Sequence, residues 1–298
     1  MTRLLAVLVL VGALWGQSSR PAPLTAAIEA HLKSAPGDVW FLARHLTSGR
    51  AFGWRADEPV RTASTIKLPI MAAVFAEVEA GRLRWDQPVK LTAESMVSGS
   101  GVLSEFTPGQ SLPLRDVVRL MIVVSDNTAT NLVLDLLPAD RVNAFLEANG
   151  FQVTRSLRKI RGDGTKLKDP TGWSAAGLKP ENQKFGIGVS TSEEMVRMLQ
   201  ALALGRLVSR EASQEMIAIL KRQQYKDLIG RRTGELEVAS KSGALDRLRS
   251  DVGIVYAKSG PILIAMTVDN LPRTDYSAGN PAMEWMGELA RLLVEALD

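Results

Sequence analysis

The chain has 298 residues, 46% of them hydrophobic and 23% charged, the balance of a folded protein with a sizeable core rather than a disordered one. It contains no cysteine, which excludes disulfides, thiolate metal sites and cysteine nucleophiles, and only two histidines, His31 and His45, in no metal-binding spacing. The formal charge of +4 is spread without a basic run or interleaved aromatics, so nothing points to nucleic acid; it biases the protein weakly towards anionic substrates or surfaces.

Met1-Thr2-Arg3 is a short basic start, and an apolar run over 4–15 leads to Gly16-Gln17-Ser18. This pattern reads as a secretory signal peptide over 1–18, too short for a comfortable membrane span. The expectation is export to the periplasm or the medium, with no stable membrane span after cleavage and a single catalytic domain over 19–298.

Beyond the prolines at 21 and 23, Leu24, Ile28 and Leu32 predict a helix over 24–35, stopped by Pro36-Gly37. Alternation predicts strands over 38–46 and 51–56, joined by Thr47-Ser48-Gly49 as a hairpin. From Thr62 the texture becomes helical: Ile66, Ile70, Val74 and Val78 recur every four residues beside Met71 and Phe75, and Gly81 ends the run. Pro69, lacking an N–H, is expected to disturb the first turns. Further helices are expected over 114–124, 131–137 and 139–149. Ser190-Thr191-Ser192 ahead of Glu193-Glu194 reads as a double capping box opening a helix to Leu204, and another helix covers 213–222. Strands follow over 238–242, 251–257 and 262–268, and a helix over 282–297 closes the chain.

Two strands early and three late predict an α/β (α+β) fold. A five-stranded antiparallel sheet from both chain ends is flanked by helices (19–61 and 226–298). A mostly helical lobe (62–225) stands beside it, with the active site between them, where pockets tend to form.

Three short words stand in order along this frame: Ser64-Thr65-Ile66-Lys67, Ser125-Asp126-Asn127 and Lys241-Ser242-Gly243. They read as S-x-x-K, S-D-N and K-[ST]-G, a serine nucleophile activated by lysines instead of histidine, and so as acyl transfer through a serine ester. S-x-x-K alone is expected about once by chance in a chain of this length, but all three in order are not. With these motifs the chain resembles the class A β-lactamases and their penicillin-binding relatives, from about residue 24 to 297. Ser100-Gly101-Val102-Leu103 with Thr107-Pro108-Gly109 is similar to the family's loop ahead of S-D-N, and Asp251-Val252-Gly253-Ile254-Val255 to its strand after K-[ST]-G.

The resemblance implies roles. Ser64 is the nucleophile at a helix N-terminus, with Lys67 one turn later and within reach of its hydroxyl. A dry Lys67 crowded by Lys241 would lose its proton readily and act as base. Ser125 passes a proton to the leaving nitrogen, Asn127 holds Lys67 and the substrate amide, and Asp126 pins the turn. Lys241 and Ser242 meet the substrate carboxylate, Gly243 leaves room for the acyl chain, and the N–H groups of Ser64 and Ala244 form the oxyanion hole. No metal or organic cofactor is implied. The expected partner is a small β-lactam or a peptidoglycan stem peptide, and the default state is a monomer.

One part of the family pattern is missing. Efficient β-lactamases carry a glutamate in the loop after S-D-N, in an E-x-x-L-N-like phrase, which activates the water that hydrolyses the acyl-enzyme. Arg158 matches that loop's structural arginine, but the stretch to Val189 offers only Asp163, Asp169 and Glu181 as acids, with Glu181 the weak candidate for the base. Arg231, Arg232 and Arg249 are candidates for extra carboxylate binding. Three functions follow as expectations: a secreted class A serine β-lactamase, a penicillin-binding D,D-peptidase with slow lactam deacylation, and a binding module that is acylated once.

Overall fold

The computed structural model describes residues 21–162 and 172–298; the expected signal peptide lies outside them, as do Asp163 and Asp169. The chain opens with α1 (Ala26–Leu32), where the Thr25 hydroxyl accepts the Ile28 N–H, and continues into β1 (Asp38–His45) and β2 (Ala51–Trp54). The short strand β3 (Val60–Arg61) leads to a single 3-10 turn, Ala63–Ile66, and then to α2 (Lys67–Glu79). A ribbon of β4 (Pro88–Lys90) and β5 (Ser111–Pro113) precedes α3 (Leu114–Val123), α4 (Asn127–Leu136) and α5 (Ala139–Ala148). Next come β6 (Arg155–Ser156), α6 (Ala175–Leu178), α7 (Pro180–Gln183), β7 (Gly188–Ser190), α8 (Ser192–Ala203) and α9 (Arg210–Lys221). The last elements are β8 (Val238–Leu245), β9 (Leu248–Ala257), β10 (Gly260–Asp269) and α10 (Pro281–Leu297).

The main sheet has the order β2-β1-β10-β9-β8 and is antiparallel throughout, two strands from the start of the chain and three from its end. Its strands are buried on both faces, which is why they read as nearly continuous apolar runs. Phe41 and Ala43 of β1 join Ile264 and Met266 of β10 in a core closed by Ile28 of α1 and by Trp285 and Leu289 of α10. Leu42 points the other way, with Leu263 and Ala265, into a second core shared with the middle helices. β8 lies at the edge of the sheet, so part of its backbone is free to face the active-site cleft.

Helix α2 runs through that second core. All nine residues from Lys67 to Phe75 are buried, so the four-residue apolar stripe understated the burial. Pro69 does not disturb the helix. It is the third residue of α2, where an N–H would have no acceptor within the helix. Helix α4 starts four residues earlier than its apolar pattern, because Asp126 caps it by accepting the Ala129 N–H at 2.7 Å.

The capping box expected at Thr191 is half formed. The Thr191 hydroxyl accepts the Glu194 N–H, but the buried Glu194 carboxylate turns away to a loop, accepting the N–H groups of Gln152, Val153 and Thr154 and the Thr154 hydroxyl. That loop feeds a small sheet, β3-β7-β6, whose strands of two or three residues are too short to show any period. The small sheet joins the segment entering the Ser64 turn to the segment carrying Arg158.

Candidate active site

The structure brings the three motifs together where α2, the α3–α4 junction and β8 meet. Ser64 sits in the 3-10 turn, half-buried and lining the cleft. Lys67 is the first residue of α2, Ser125 the last residue before the Asp126 cap, and Asn127 the first of α4. Lys241, Ser242 and Gly243 lie in β8, and Ala244 follows at the cleft mouth.

Ser125 is the hub. Lys67 Nζ donates to the Ser125 carbonyl at 2.6 Å, to the Ser125 hydroxyl at 3.2 Å and to Asn127 Oδ1 at 3.0 Å. Lys241 Nζ donates to the same hydroxyl at 3.0 Å and to the Ser242 carbonyl at 2.7 Å. A hydroxyl that accepts from two ammonium groups has its lone pairs filled and its own proton left to give. Lys67 does not bond Ser64 in this state. Its three donors are spent on Ser125 and Asn127, and only loss of a proton frees a lone pair for the nucleophile.

Both lysines are 0% exposed, and burial penalises their charged forms. Burial, reinforced by the neighbouring Lys241 ammonium, holds Lys67 well below the usual lysine range, against an opposing pull from Asp126. Burial lowers Lys241 to about 7, with Asp251 working the other way. Asp251 is itself pushed up to about 6 by burial, although its carboxylate accepts the Ile229 N–H at 3.1 Å.

Backbone strain concentrates at this point. Ala63, directly before the nucleophile, and Ser125 both have positive φ, +47° and +53°, in a region that costs a non-glycine residue about 1–2 kcal/mol. The 98–103 loop fixes the Ser125 turn. Asp126 accepts the N–H groups of Val102 and Leu103 at 2.6 and 2.9 Å, so it pins the turn as expected. Asn127 donates from its side chain to the Ser98 carbonyl at 3.1 Å. Gly101 is required there, because a Cβ would fall 2.2 Å from the Asp126 carboxylate.

Gly243 also has a packing task. A Cβ at this position would lie 2.9 Å from the Ser64 nitrogen and 2.9 Å from the Thr62 carbonyl oxygen. Glycine therefore admits the Ser64 turn against β8. Gly243→Ala should push that turn off the strand, slowing acylation at least tenfold and costing about 1–3 kcal/mol of stability. Stopped-flow acylation and thermal melting measure both.

Glu181 and the candidate arginines fall elsewhere. Glu181 is exposed on α7 and does not line the cleft, contrary to its suggested role as base. Arg231 pairs with Glu284 at 2.6 Å, and Arg232 with Glu284 and Glu288. Arg249 donates to the Leu245 and Leu248 carbonyls at 2.7 Å each and to the Asp275 carbonyl, under the Tyr276 ring. None of the three lines the cleft. His31 stacks on Trp285 at 4.7 Å; His45 accepts the Thr47 and Ser48 N–H groups at Nδ1, so its Nε2–H faces Ser259.

Two residues that the motifs did not flag complete the site. The Asn131 side chain donates to the Ile160 carbonyl at 2.8 Å and accepts the Ile160 N–H at 2.9 Å, clamping that loop residue on both sides. Ile160 lines the cleft together with Ser64. The available signals were the i,i+4 spacing of Asn131 from Asn127 on one helix face, and the distance of two residues from Arg158 to Ile160. Among the described residues, the only acids lining the cleft are Asp269, which takes both nitrogens of Arg61, and Asp246, which accepts the Tyr276 hydroxyl at 2.8 Å. Apart from these two engaged carboxylates, the cleft lining of the described residues offers no general base beyond the lysine–serine group.

Comparison with known proteins agrees with this geometry. Residues 23–297 match the model of the family described as "Beta-lactamase enzyme family". A solved β-lactamase from Sphaerobacter thermophilus is 32% identical, covers 91% of this chain and 95% of its own, and superposes with a TM-score of 0.77. Beta-lactamase L2 of Stenotrophomonas maltophilia is 29% identical over 252 residues, covering 80% of this chain and 73% of that protein. The solved structure of PBP-A, 22% identical, shares the fold with a TM-score of 0.76 over 93% of this chain and 97% of its own. With the family model spanning nearly the whole described chain, and its sheet, helices and motif order in place, this protein belongs to the beta-lactamase enzyme family.

Proposed function

We propose that the protein is a serine hydrolase that opens β-lactams through an ester on Ser64. The observation that carries this reading is the Ser125 hydroxyl held between two buried lysines, 3.2 Å from Lys67 Nζ and 3.0 Å from Lys241 Nζ. In this scheme neutral Lys67 takes the Ser64 proton as the oxygen attacks the lactam carbonyl. The Ser64 N–H, placed against β8 by Gly243, and the Ala244 N–H receive the developing oxyanion. As the C–N bond breaks, the Ser125 hydroxyl gives its proton to the lactam nitrogen and regains one from Lys67. Lys241 and Ser242 hold the substrate carboxylate. Water then cleaves the ester and restores Ser64. Secretion by the N-terminal segment, and a monomeric state, belong to the same reading.

A second reading, a D,D-peptidase acting on peptidoglycan stem peptides, is favoured by one observation. The clamped loop position that lines the cleft beside Ser64 carries Ile160, which cannot activate water. On that reading β-lactams acylate Ser64 and leave slowly.

The test is intact-protein mass spectrometry after mixing with a penicillin, with the adduct mapped to the Ser64 peptide and its formation followed across pH. Acylation should rise as Lys67 loses its proton, at a pH well below the usual lysine range. It should fall again near pH 7, as Lys241 loses the charge that captures the carboxylate. A rate that climbs steadily to pH 10, or an adduct on another residue, refutes the scheme.

A further inference from the structure

The cleft does not end at Ser64. It continues across β3, past Pro59 and Val60, to Trp40 and Asn270, and encloses about 1290 Å³. Ordinary small-molecule pockets reach about 1,000 Å³, so this one has room for more than a bicyclic lactam. Its orientation relative to the reaction follows from the proton donor. The leaving nitrogen has to face Ser125, which is buried outside the cleft lining, and so the acyl part of the substrate is left to the cleft that Ser64 lines.

The arm has an apolar floor and cationic walls. Trp40, Pro59, Val60 and Ile187 supply the floor. Arg61 also lines it, but its guanidinium is cancelled by Asp269 through two nitrogens. Of the other cations that line it, Arg161 among them, Arg247 on the β8–β9 turn, Arg158 and Lys184 make no ion pair among the described residues. Arg247 donates to the backbone carbonyls of Leu271 and Asn270, Arg158 to that of Lys159, and the Lys184 ammonium lies 5.0 Å over the Phe185 ring. Carbonyls and ring faces aim a cation without neutralising it. The remaining acid, Asp246, holds the Tyr276 hydroxyl. Among the described residues, the lining thus keeps an excess of positive charge that a neutral acyl chain leaves uncompensated.

We propose that this arm binds an extended acyl chain ending in a carboxylate, with its methylene stem on the Trp40–Val60 floor and its carboxylate between Arg247 and Lys184. The inference rests on Ser64 being the acylated residue, and it assigns the substrate class of that same site: acyl donors with an acidic tail, such as a peptide bearing an acidic side chain.

The test uses two penicillins built on the same nucleus, one with a hexanoyl and one with an adipoyl side chain, which differ only by a terminal carboxylate. Acylation rate constants are measured for the whole protein and for Arg247→Gln and Lys184→Gln, at low and high ionic strength. The adipoyl compound is expected to acylate about fivefold faster at low salt, the size of a good solvent-exposed ion pair. The ratio should fall towards one at high salt and in each variant. A ratio of one in the unmodified protein, with both compounds acylating Ser64, overturns the proposal and leaves the Ser64 reading standing. A preference that survives in both variants also overturns it. Failure of both penicillins to acylate Ser64 removes the reading itself and the inference with it.

Discussion

Lys67→Met should slow acylation by penicillin about a thousandfold while the protein stays folded. Removing a positioned general base typically costs 10²- to 10⁴-fold, about 3–5 kcal/mol of barrier. Methionine is unbranched and fills nearly the same buried channel. Two opposing effects act on stability. The substitution leaves the Ser125 carbonyl and Asn127 Oδ1 without their donor, at about 1–3 kcal/mol each. It also removes an ammonium whose charged form is already penalised by burial and by Lys241. A melting temperature within a few degrees of the parent, with stopped-flow acylation nearly abolished, is the expected pair of results. Ser64→Ala serves as the control and should give no adduct at all. A Lys67→Met protein that acylates at the parent rate would move the base elsewhere, to Lys241.

Ile160→Glu should shorten the life of the penicillin adduct about a hundredfold, with little change in how fast it forms. The backbone at 160 is already held by Asn131 through both its N–H and its carbonyl, and the residue already faces the cleft that Ser64 lines. A carboxylate introduced there enters the cleft that Ser64 lines, where it can hold a water for the ester. Acylation should be spared because it runs through Lys67, Ser125 and Lys241, whose bonds do not involve residue 160. The lifetime is read by mass spectrometry after quenching excess penicillin. If the variant folds and acylates normally but its adduct decays at the parent rate, then a base outside this position already governs deacylation, and the peptidase-like reading loses its support.

The elements that the sequence made legible are those with long, regular signals. The apolar stretches of β1, β9 and β10 and the apolar run of α2 are legible because burial forces apolar residues there, whereas β9 begins three residues before its expected start, in the mostly polar stretch Leu248-Arg249-Ser250. The start of α4 was read late, since its first turn is polar and is defined by the Asp126 cap rather than by apolar spacing. Strands β3, β6 and β7 were not legible, because two or three residues cannot display a period and their pairing depends on partners distant in the chain, Val60 with Ser190 and Arg155 with Val189. Glu194 is instructive: its neighbourhood spells a capping box, yet three backbone N–H groups of a distant loop form a better receptor for a buried carboxylate than one helix end does.

The candidate site residues and the chemistry proposed for them were legible in the sequence itself. Three motifs whose residue types are dictated by acyl transfer are recognisable without coordinates, and absence of cysteine and scarcity of histidine remove the common rivals. Only the tertiary structure decided how those groups are disposed: that both lysines converge on one serine hydroxyl, that Gly243 clears the Ser64 turn, and that Ile160 holds the loop position facing the cleft. The physical reason is the same in each case. A side chain's identity is local, but its protonation, its partners and the space it must leave are set by groups from distant parts of the chain, which meet only when the fold closes.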